Sequence, residues 1–120
     1  MTSKQWIQNL MSEIESAPVE CDGFSTLAAT VLYKHGIAYQ GFVGSLSAGG
    51  MVIPLHYWIV VGEFLIDYRA RMWMGEGPEV PHGVMEYQQV KSMYSGDPVS
   101  IEPASEAVYQ LLMLPWPDLR

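Results

Sequence analysis

An α+β fold, with helices packed on an antiparallel β-sheet, is what this sequence predicts. Apolar residues recur at helical spacing through its first third, and β-branched and aromatic stretches then run from 37 to 71. The tight dipeptide Gly62-Glu63 joins the last two of those stretches.

The elements follow in order. Ile7, Leu10, Met11 and Ile14 fall at i, i+3, i+4 and i+7, the spacing of an amphipathic helix over 3–16, capped by Ser3 and closed by Pro18. Phe24, Leu27, Ala28, Val31 and Leu32 repeat the spacing and predict a second helix over 22–35, stopped by Gly36. Residues 37–46 read as a strand, 45–50 as a flexible loop, 52–61 as a second strand and 64–71 as a third. The glycines and prolines of 74–83 predict an irregular loop. The stretch 84–102 reads as a short helical turn followed by an edge strand at 98–101. A helix over 103–113 closes the chain, with Pro103 near its first turn, Val108, Leu111 and Leu112 on its buried side, and Pro115 and Pro117 ending it.

A chain of 120 residues, 49% hydrophobic and 16% charged, has the size and composition of a single folded domain over 1–120. A net charge of −7 with six basic residues argues against nucleic acid, which rewards clustered Lys and Arg. Neither an apolar leader nor a membrane-length apolar run occurs, so the expectation is a cytoplasmic protein without a membrane partner. The three histidines are not at ligand spacing and there is one thiol, so neither a metal nor another cofactor is expected.

Cys21, His56 and Asp67 are the candidate catalytic residues. Cys21 stands at the start of the second helix, where unpaired N–H groups and the helix dipole favour a thiolate. If Gly62-Glu63 is a two-residue turn, paired residue numbers sum to 125. His56, Trp58, Val60, Leu65, Asp67 and Arg69 then share one face, with Asp67 diagonal to His56. A carboxylate on one imidazole nitrogen leaves the other free to deprotonate a nucleophile. Plainer roles stand beside these: a core cysteine, a strand histidine, and an Asp67–Arg69 ion pair. Glu20 and Asp22 flank Cys21 and oppose a thiolate, although Asp22 is also placed to cap the helix.

The stretch Cys21-Asp-Gly-Phe24 through Gly36-Ile37, then Gly41-Phe-Val-Gly44, His56-Tyr-Trp58 and Ile66-Asp67, resembles the transglutaminase-like branch of the papain-like cysteine protease superfamily. The resemblance covers about residues 18–70. It implies a nucleophile helix on an antiparallel sheet, with Cys21 as nucleophile, His56 as general base and acid, and Asp67 as the carboxylate that orients it. The expected activity is cysteine-dependent acyl transfer on a peptide, protein or small amide: a peptidase, amidase or deamidase by hydrolysis, or a transferase where an amine accepts the acyl group. The alternative is a catalytically inactive binding or structural module on the same scaffold. Secondary candidates for substrate binding are Trp58 as a wall, Arg69 (with Arg71 beside it) for a substrate carboxylate, and Gln5 as an oxyanion donor; each also has a structural reading. His82 is read as a solvated loop residue or part of a cover over the site, and His35 as a helix-end residue.

Overall fold

The computed structural model describes residues 3–115. Two helices come first, α1 (Lys4–Met11) and α2 (Cys21–Lys34). Ser3 caps α1, its hydroxyl accepting from Trp6 N–H at 3.1 Å. The helix ends at Met11 rather than at 16, and turns carry the chain on, yet Ile14 remains fully buried.

Five strands form one antiparallel sheet: β1 (Gln40–Ala48), β2 (Met51–Val61), β3 (Phe64–Asp67), β4 (Gly83–Glu86) and β5 (Tyr94–Val99). Their order across the sheet is β4-β3-β2-β1-β5. Short helices α3 (Ala70–Met74) and α4 (Tyr87–Val90) and a 3₁₀ turn (Lys91–Met93) fill the connections, and α5 (Glu106–Met113) comes last.

The expected loop at 45–50 is mostly strand. β1 runs on to Ala48 and turns in two residues, Gly49 and Gly50, with φ of +57° and +79°. Two consecutive positive φ values give the turn whose twist matches a hairpin, and glycine adopts them without steric cost.

The expected third strand stops at Asp67, and the chain enters α3 instead of continuing to Arg71. Ala70 and Met74 there bury against Leu46, Ala48 and Val80, a reward that extension would forgo. The segment 84–102 also yields β4, which the sequence reading missed, and β5 begins at Tyr94 rather than at 98.

α5 begins after Ser105, whose hydroxyl accepts from Val108 N–H, so Pro103 lies before the cap. Its inward residues are Tyr109, Leu112 and Met113; Val108 and Leu111 face solvent, contrary to expectation. Packing of the three inward residues against the main core sets the rotation, and Tyr109 also lies under the Lys34 ammonium, 5.0 Å from the ring centroid. The expected terminator Pro117 lies outside the described residues.

Alternation along the strands divides the packing. Ile59, Val61, Phe64, Ile66 and Val84 meet Ile7, Met11, Leu27 and Leu32 of α1 and α2 in the main core. Trp58 and Leu65 pack with Val90 under α4, beside Phe42 and Tyr94.

Candidate active site

The β2–β3 register is the expected one. Ile59 pairs with Ile66, Val60 with Leu65 and Val61 with Phe64, each summing to 125. One irregularity lies further along β2: Leu46 faces Ile53 and Gly44 faces His56, so Pro54 and Leu55 together oppose Ser45. This is a β-bulge, and it occurs where proline has no N–H to give the ladder. His56 follows directly, and Asp67 is the last residue of β3.

His56 is fully buried. Its Nε2–H donates to Asp67 Oδ2 at 2.7 Å. The Tyr94 hydroxyl donates to the same oxygen at 2.8 Å, and the Arg69 backbone N–H donates to Oδ1 at 3.0 Å. The Asp67 carboxylate, 2% exposed, thus has three donors, which offset the cost of burying it. His56 Nδ1 is buried without a hydrogen-bond partner.

Burial alone would depress the His56 pKa. The Asp67 hydrogen bond, the Cys21 side chain and the Asp67 charge outweigh it and raise the value to about 9. His56 is therefore an imidazolium at neutral pH. Burial pushes the Tyr94 phenol up, and Asp67 beside it adds to the effect.

Cys21 occupies the first turn of α2 and is half-buried. Among the described residues it makes no hydrogen bond to His56 or Asp67. Its side chain is near enough to be felt at His56 and at Arg69. The N-cap of α2 is Glu20, not Asp22; Glu20 is exposed and its side chain caps nothing, while Asp22 lies inside the first turn, where its Oδ1 accepts from Gly23 N–H at 2.8 Å.

The secondary candidates have other occupations. Trp58 is 3% exposed and lies between Phe42, parallel at 6.0 Å, and Tyr94 at 4.8 Å, with the His56 ring 6.3 Å away. It packs behind the imidazole as core. Arg69 departs from the expected face because β3 has already ended. Its guanidinium is buried and spends its donors on the carbonyls of Val19 (2.7 Å), Ala17 (2.9 Å) and Tyr68 (2.9 Å), leaving neither an Asp67 side-chain pair nor a free fork for a substrate. Arg71 likewise bonds the Val80 carbonyl. The Gln5 amide donates to Asn9 on the exposed side of α1, away from an oxyanion role. His82 meets the Tyr68 ring edge-on at 5.1 Å, and His35 caps the C-terminus of α2.

Tyr94 is the site residue that sequence reasoning missed. It lies 27 positions from Asp67, on a strand whose start was misplaced, and only the β1–β5 pairing brings it near. A cleft of about 320 Å³ is lined by Pro18, Val19 and Glu20, the three residues before Cys21, together with Met72 and Trp73. Met72 and Trp73 are at least half exposed there.

No group of three or more His, Cys, Asp or Glu side chains that could hold a metal occurs among the described residues, and none of their helices is long and apolar enough to cross a membrane. The chain matches no protein-family model, no curated protein and no solved structure.

Proposed function

We propose that the protein is a small cysteine-dependent acyl-transfer enzyme that hydrolyses a peptide or amide bond, with Cys21 as nucleophile, His56 as base and acid, and Asp67 as its orienting carboxylate. The observation that carries this reading is the buried imidazole tied through Nε2 to Asp67, with Nδ1 left unpartnered. Buried side-chain polar atoms are paired in the large majority of cases. His82 Nδ1 is the other unpartnered one among the described residues, but only His56 combines it with a hydrogen bond from the opposite nitrogen to a carboxylate. The half-buried thiol at the first turn of α2 is the nearby group that Nδ1 can serve.

In the reaction, the imidazolium of His56 already holds the proton given up by Cys21, and the sulfur attacks the amide carbonyl as a thiolate, forming a C–S bond. The C–N bond breaks as His56 returns the proton to the departing amine. Water then attacks the thioester, giving its proton to His56; a C–O bond forms and the C–S bond breaks, restoring the thiolate beside the imidazolium. Backbone N–H groups of the first turn of α2 are the oxyanion donors in this scheme, since Gln5 is engaged elsewhere.

Iodoacetamide labelling tests the reading. Cys21 should alkylate at pH 7 at least about tenfold faster than a free thiol of pKa about 8.5. His56→Ala should remove that excess, and Cys21→Ala should abolish labelling with the fold intact by circular dichroism. The competing reading, an inactive binding or structural module, requires alkylation no faster than a free thiol and indifferent to His56.

A further inference from the structure

We infer that Arg69 is a positioning residue for this site: its guanidinium holds the segment leading into α2 so that Cys21 is presented to His56. The inference rests on the acyl-transfer reading and extends it to a residue that touches neither substrate nor reacting atoms.

Arg69 follows Asp67 by two residues, just past the end of β3. Its backbone N–H donates to Asp67 Oδ1. Its side chain crosses to the other half of the site, where Nε and Nη2 donate to the carbonyls of Val19 and Ala17. The third donor, Nη1, returns to Tyr68 O, and the guanidinium carbon sits 4.6 Å from the centroid of the Phe24 ring, one turn along α2 from Cys21. One residue therefore ties the orienting carboxylate, the segment before the thiol and the first turn of the thiol's helix together.

The charge distribution agrees. Burial lowers the Arg69 pKa, and Asp67, Glu15 and Cys21 oppose that shift. The charged groups around the thiol are thus His56 from β2, Arg69 and Asp67 from the end of β3, and Glu20 and Asp22 on its own segment. A buried guanidinium against the first turn counters the two flanking carboxylates, and its rigid planar fork holds the Val19 and Ala17 carbonyls in one fixed geometry, which a flexible, point-charged ammonium does not impose.

Gly23 offers a second handle on the same segment. A Cβ there would stand 2.8 Å from Val19 Cβ, so alanine pushes the segment off α2 without touching Arg69.

The test compares wild type, Arg69→Lys, Arg69→Met, Gly23→Ala and Cys21→Ala. Two quantities are followed in folded protein: the pH profile of Cys21 alkylation by iodoacetamide, and the NMR titration of His56. Losing the fork should shift the alkylation profile upward by about one pH unit or more in Arg69→Lys, although the charge remains. In the same variant the His56 midpoint should fall from about 9 toward its value in Cys21→Ala. Gly23→Ala should change both readouts in the same direction, which preserves the test if Arg69→Met does not fold. A merely structural Arg69 would lower thermal stability and leave both readouts of the folded variants unchanged, and that result overturns the inference. The parent reading fails separately: if Cys21→Ala leaves the wild-type His56 titration where it is, thiol and imidazole do not interact, whatever Arg69 does.

Discussion

His56 carries the chemistry because its two nitrogens have unequal surroundings. One is bound to the Asp67 carboxylate, which accepts from three donors, and the other is bare. The raised pKa has a stability consequence whose sign follows from linkage. A histidine at about 9 in the folded protein and about 6.5 unfolded binds its proton more tightly when folded. Its contribution, roughly 3 kcal/mol, is complete below about pH 6.5 and is lost as pH rises through about 9. Urea denaturation should therefore show stability declining from pH 6.5 to 9 in wild type, and a flatter curve in Asp67→Asn. A wild-type curve that is level over this range would show that the His56–Asp67 pair is not coupled as described.

At the scale of elements, the bulge in β2 and the close approach of β1 to β5 shape the sheet around the site. Gly44 faces His56 on one side and Gly96 on the other. A side chain at Gly44 would run into the backbone of Ser95 and Gly96, so the two strands meet closely only because both positions lack a Cβ. That approach also seats Tyr94, at the start of β5, over Asp67. Gly44→Ala should cost about 1–3 kcal/mol from the forced shift of β5, measured by chemical denaturation. It should also disturb the His56 titration, whereas alanine at Gly50, where a Cβ meets nothing within 4 Å, should leave that titration in place.

Across the whole molecule, stability comes from the α1–α2 face of the sheet. Leu27 is fully buried among Ile7, Met11, Ile59 and Ile66. Leu27→Ala should cost about 2–5 kcal/mol, the range for an aliphatic core truncation, with the loss read in the thermal midpoint. The Lys34–Glu106 pair, both side chains more than half exposed, should contribute little by comparison.

Local sequence determined the parts of this protein that depend on short-range periodicity and turn chemistry. α2, capped α1 and the β2–β3 register were legible because apolar spacing and a two-residue turn specify them within a few residues. From that register follows the juxtaposition of His56 with Asp67, whose Nε2 and Oδ2 stand 2.7 Å apart. The extent of β3, the strand β4, the rotation of α5 and the roles of Arg69 and Tyr94 were decided by tertiary packing. In each case the deciding partner is distant in sequence: Leu46 and Val80 for α3, the main core for Tyr109, Ala17 and Val19 for Arg69, Asp67 for Tyr94. Arg69 illustrates the difference best. Its position two residues beyond Asp67 suggests a cation on the proposed catalytic face of the strand; only the end of β3 turns it inward, where Nε, Nη1 and Nη2 each donate to a carbonyl.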